Sequence, residues 1–182
     1  MRRRKRLVVK NQDLQHIFDD VAVYGQLCDC YKATEKTVED LMRKHGAWED
    51  SDMLLSLIKR TPPGYFRFRM CEEYYRLCPE EKEKAILRQE RIAAIPVNEY
   101  KALGQAYGYL YQMATWYSLI CHLSEIIIAA LKDRGFYDDE SVLITIHDAL
   151  CPYGSVLLAT IDNHLNEIRI ASFGSKHQSQ NE

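Results

Sequence analysis

Glycine and proline are scarce, eight and five in 182 residues. That excludes collagen-like and Pro/Gly-rich low-complexity chains and leaves little material for long flexible loops. Catalytic and metal-binding signatures are missing as well. The chain has no Cys-x-x-Cys pair, no His-Glu-x-x-His, no Gly-x-Ser-x-Gly elbow and no phosphate-cradling glycine loop. It also lacks the paired Glu-x-x-His motifs of a di-iron helical bundle. Cys28 and Cys30 are two apart and point in different directions on a helix, so they do not share an ion. No cofactor is expected. No apolar leader follows the basic start, since Leu7, Val8 and Val9 give way at once to Lys10 and Asn11. The expectation is therefore an intracellular protein, cytoplasmic or nuclear, whose six cysteines stay reduced.

What is present is ordinary globular composition, 47% hydrophobic and 27% charged, with an unusual layout of charge. Arg2, Arg3, Arg4, Lys5, Arg6 and Lys10 are accompanied by no acid in the first ten residues. The rest of the chain is acidic, so the formal net charge is −2. Like charges in a block stay hydrated and repel one another, which predicts a disordered arm over residues 1–11. Such an arm attracts phosphate, an anionic membrane surface or an acidic protein face, or serves only as a solubilising tail.

Residues 105–124 carry no formal charge, long enough to raise the question of a membrane span. Gln105, Gln112, Thr115, Ser118, His122 and Ser124 are polar, and Tyr107, Tyr109, Tyr111 and Tyr117 need hydroxyl partners. The pattern favours the central helix of a bundle over a transmembrane segment. Gly104 and Gly108 have a spacing that permits close helix approach in any setting.

Helical periodicity runs through most of the chain. Leu14, Ile17, Val21, Tyr24, Cys28 and Tyr31 step by threes and fours, predicting a helix over about 12–31. Thr34 is a candidate cap for a second helix with Val38, Leu41 and Met42, stopped by Gly46. The acidic run 49–52 opens a third, with Leu54, Leu55, Leu57 and Ile58, which must end before Pro62 and Pro63. Tyr65 to Leu77 alternates locally but reads as a helix. Pro79 starts a charged surface helix to about Ala94. A long helix over about 99–134 ends at Gly135, and its apolar faces from Met113 to Leu131 predict enclosure by neighbours. Asp138 and Asp139 can cap a helix with Val142, Leu143, Ile146 and Leu150. After a turn at 151–154 comes a last helix with Leu158, Ile161, Leu165 and Ile168. The fold expected is all-α, a single-domain bundle of seven or eight helices over 12–173 around that long central helix, with a polar tail over 174–182. The alternative is α+β, because residues 142–173 are rich enough in β-branched side chains for an antiparallel meander.

Two constellations stand out. Tyr65, Phe66, Arg67, Phe68 and Arg69 interleave rings with guanidinium groups, a composition suited to a protein interface or to stacking on nucleic-acid bases. It equally suits a packed helix start with Arg stems over Tyr faces. The other is His147-Asp148 with His122 upstream, separated by a helix end and an acidic cap. This layout resembles the front half of the HD-domain metal phosphohydrolases. The resemblance implies that His122, His147 and Asp148 bind a metal that activates water on a phosphate ester, with a later Asp completing the set. It spans residues 122–148 only. The Gly and Lys usual after the dipeptide are replaced by Ala149 and Leu150, and Asp162 is the one Asp downstream.

The function expected is a non-enzymatic helical interaction protein, such as an adaptor, inhibitor or regulator, meeting a protein partner through residues 65–69. The alternatives are a nucleic-acid-associated regulator using the arm (Arg2, Arg3, Arg4, Lys5, Arg6) with Tyr65–Arg69, and a degenerate HD-like phosphohydrolase.

Overall fold

The computed structural model describes residues 2–80 and 97–178, with side chains over 12–80 and 104–171. Among the described residues there are six α-helices, a short 3-10 turn and no strand. The helices are α1 (Arg2–Lys44), α2 (Ser51–Ile58), α3 (Tyr65–Leu77), α4 (Val97–Asp133), α5 (Glu140–Leu150) and α6 (Val156–Gln178). The all-α class holds, and the C-terminal meander does not, because residues 140–150 and 156–178 are helical. The helix expected up to Ala94 lies, after Glu80, outside the described residues.

The helix count is lower than expected for a local reason. The helices foreseen over 12–31 and from Thr34 are one helix, which also takes in the basic segment. Thr34 does not cap. Its hydroxyl donates back to the Cys30 carbonyl at 2.8 Å, and the residue is buried, so the chain passes through it without a break. The last helix runs on to Gln178, past the end expected at Phe173.

The helix ends follow capping chemistry. Asp50 accepts from the amides of Asp52 and Met53, both at 3.0 Å. Asp139 accepts from Ser141 and Val142 at 3.1 and 3.3 Å. Each carboxylate satisfies donors that the first turn leaves open. Gly135 takes φ 73° after α4, and the Phe136 amide then reaches back to the Leu131 carbonyl at 2.8 Å. This left-handed step turns Phe136 into the core beside Leu131.

Contacts group the chain into two compact units. Unit 1 combines residues up to Asp29 with those from Leu119 onward. Its core joins Ile17, Val21, Tyr24 and Cys28 of α1 to Ile127 and Leu131 of α4, and to apolar residues of α5 and α6. Unit 2 covers residues 30–118. Its core holds Val38 and Met42 of α1, Leu54, Leu57 and Ile58 of α2, Phe66 and Met70 of α3, and Ala106, Leu110 and Met113 of α4.

The long helix α4 departs from expectation. Its stretch Gly104–Asp133 is long and apolar enough by composition to cross a membrane, yet only 11% of its most apolar window is buried. No residue from 114 to 126 is fully buried. The enclosure foreseen for this helix is not found. Its exposed residues are partly small and neutral polar, including Gly104, Gly108, Gln112, Thr115 and Ser118, and partly large and apolar or aromatic, namely Tyr109, Tyr111, Leu119 and Ile126.

Candidate functional site

The start of α3 is shaped by what precedes it. α2 ends at Ile58, ahead of Pro62 and Pro63, and Gly64 at φ 154° takes a conformation that disfavours side chains. The Gly64 carbonyl receives the first helical bond, from the Phe68 amide at 3.0 Å. Once the segment is helical, its alternating pattern sorts by threes and fours. Phe66 and Met70, four apart, are buried in the unit 2 core. Tyr65 and Phe68, three apart, face outward at 74% and 56% exposure. Their rings stack with centroids 6.5 Å apart and planes 24° from parallel.

The two arginines of the segment are partly exposed and bond within the chain. Arg67 donates to the Thr61 carbonyl at 3.4 Å. Arg69 donates to Glu39 Oε1 at 2.9 Å, an oxygen that also accepts from Arg43 at 2.8 Å. The Arg69 guanidinium lies 5.7 Å from the centre of the Trp48 ring, and Trp48 meets Phe66 edge-on at 6.3 Å. An open cleft of about 550 Å³ is lined by Arg43, Trp48, Glu49, Arg69, Glu72 and Glu73. Two guanidinium hydrogen bonds hold the Glu39 carboxyl below the usual carboxylate range. Glu35 moves the other way, pushed up by burial and by the nearby Glu39 charge. Tyr31 is pushed up to about 12 by burial, with Glu35 adding to the effect.

The structure thus divides residues 65–69. Tyr65 and Phe68 form an exposed pair, Phe66 belongs to the core, and Arg67 and Arg69 are engaged within the chain. Trp48 and Glu39 complete this surface and were not singled out from sequence. The Arg43–Glu39 pair has helical i,i+4 spacing, but Arg69 lies thirty residues from Glu39, a separation that leaves no sequence signal.

His147 sits on α5. Its Nδ1 is 3.2 Å from Asp148 Oδ1 and its Nε2 is 3.1 Å from Asp162 Oδ1 of α6. His122 is exposed on α4 and joins neither contact. Both nitrogens of His147 already face carboxylates. Among the described residues no three His, Cys, Asp or Glu side chains are grouped to hold a metal ion. The residues present therefore do not fit the metal that the HD resemblance implies. The side chains of Arg2, Arg3, Arg4, Lys5 and Arg6 lie outside those described.

No family model matches the chain, and no curated protein or solved structure matches it significantly.

Proposed function

We propose that this chain is a non-enzymatic helical interaction protein that meets a protein partner through Tyr65 and Phe68. The observation that carries the reading is the stacked, exposed ring pair, held on a helix whose next residue, Phe66, and Met70 are locked in the core. At 74% and 56% exposure the pair leaves roughly 200–320 Å² of aromatic side chain uncovered. Covering it stabilises a complex by roughly 5–8 kcal/mol before association costs. Rigid aromatic side chains of this kind anchor interfaces at low entropic cost. A nucleic-acid reading retains the N-terminal bases but loses Arg67 and Arg69 to internal bonds.

The test is site-specific photocrosslinking in the source cell. A photoreactive residue at position 68 should give one discrete adduct that Tyr65→Ala abolishes, whereas the same residue at exposed position 36 should not. A smear of products at both positions, or none at 68, sinks the reading. Nuclease treatment that removes the adduct would transfer it to nucleic acid.

A further inference from the structure

Unit 1 carries a second surface, independent of the ring pair. A groove of about 370 Å³ runs between α4 and α6, lined among others by Glu125, Ile128, Ala129, Lys132, Leu157 and Thr160. Its middle is apolar, from Ile128, Ala129 and Leu157. Ala129 is small and exposed, and Val156, next to Leu157, is 64% exposed. The two formal charges of the lining have opposite sign and sit seven residues apart on one helix. That spacing returns them to the same face, separated along the axis by about 10 Å. Neither forms an ion pair among the described residues, and the Lys132 ammonium rests 4.8 Å from the centre of the Tyr137 ring.

This order of charges is doubly self-complementary across a two-fold axis perpendicular to the helix, whereas a parallel copy slid by seven residues pairs the two charges only once and does not close. A two-fold axis crossing α4 at the level of Ile128 and Ala129 lays a second α4 antiparallel to the first. Glu125 then faces the partner's Lys132, and Lys132 faces the partner's Glu125. A parallel pairing in register sets Glu125 against Glu125 and Lys132 against Lys132. The small, exposed Ala129 at the axis lets the helices approach closely, and it supplies the apolar contact together with the part-exposed Ile128, while Leu157 is buried beneath them. We propose that the occupant of this groove is a second copy of the chain, forming an isologous dimer through α4. The interface is expected to be modest in area and therefore reversible.

Sedimentation velocity of the full chain over a range of concentrations tests it. The wild type should pass reversibly from monomer to dimer. Glu125→Lys and Lys132→Glu should each weaken self-association by at least about tenfold, since each puts like charges together twice. Mixed one to one, these two variants should form a mixed dimer about as tight as the wild type. One then presents lysine at both positions and the other glutamate at both, so each facing pair is opposite in sign. The mixture controls for damage to either variant, because a misfolded partner does not restore association. A wild type that stays monomeric, single variants that dimerise unchanged, or a mixture that fails to associate would overturn the proposal. Binding of the wild type to neutral phosphatidylcholine vesicles with no charge dependence would assign the groove to lipid and overturn it equally. Because the ring pair plays no part, Tyr65→Ala/Phe68→Ala should leave the dimer intact.

Discussion

Unit 1 ties its helices together at the rim with imidazole and guanidinium groups, whereas unit 2 leaves aromatic surface open there. In unit 1, His147 bridges to Asp162, His164 to Asp138 and Arg169 to Glu140, each at 3.1 Å. The His164 ring also stacks on Tyr137 at 4.0 Å. These contacts join α6 to α5 and to the loop before it. Among the described residues of unit 2 the ion pair spanning two elements is Arg69 with Glu39, and the turn before Arg69 presents Tyr65 and Phe68 to solvent. Both interiors rest on apolar residues at helical spacing. The difference lies in what surrounds them: unit 2's rim presents a stacked pair of exposed rings, whereas the exposed apolar residues of unit 1, such as Val156 and Ile170, are aliphatic.

The comparison is most severely tested in the core. Phe66→Ala empties a fully buried site and should cost about 3–5 kcal/mol in urea unfolding. If the units are energetically distinct, hydrogen exchange should show unit 2 amides losing protection before those of unit 1. Equal loss in both would show that the division is geometric only. Asp139→Ala removes the carboxylate that receives the Ser141 and Val142 amides and should cost about 1 kcal/mol, read as a lower urea midpoint with unchanged slope.

The rim of unit 2 should respond to acid through two opposed groups. Glu39 is held below the ordinary value of 4.5 by its hydrogen bonds from Arg43 and Arg69. It therefore adds stability above that value, which is lost as pH falls through its folded value. Glu35 is held above 4.5 by burial and by Glu39. Its ionisation costs stability above its folded value, and the cost vanishes below 4.5. A pH series of urea melts should show Glu39→Gln losing part of the acid-side fall. Glu35→Gln should gain on the order of 0.5 kcal/mol near neutrality and nothing in acid. The smallest effect is the most telling for function. Tyr65→Ala/Phe68→Ala should change stability by less than about 0.5 kcal/mol, and a larger loss would mean that the rings support the fold and do not await a partner.

Much of the secondary structure was legible because helix ends are local chemistry. Asp50, Asp139, Gly46 and Gly135 act within a few residues of where they stand, and each ends or begins a helix as its side chain or φ requires. Thr34 was misread because a threonine hydroxyl satisfies an amide ahead or a carbonyl behind equally well, and burial of the residue selected the second. The alternation at residues 65–69 was resolved by Phe66 and Met70 entering one core. The enclosure expected for α4 rested on the apolar faces from Met113 to Leu131, but only Met113, Ile127 and Leu131 of that stretch are buried while Leu119 and Ile126 stay exposed, because composition does not say how many neighbours reach a helix.

For the candidate site, composition alone pointed to residues 65–69 as a meeting place of rings and guanidinium groups. It did not show that Tyr65 and Phe68 would face out and Phe66 in, or that the guanidinium groups would bond within the chain, because Arg69 finds Glu39 from thirty residues away. Nor did it show that His122 would stand apart from His147. Periodicity and caps act over one or two turns and so were set by the order of the residues themselves. Which face of a helix meets water, and which charges find each other, depends on segments distant in the chain, and packing alone decided them.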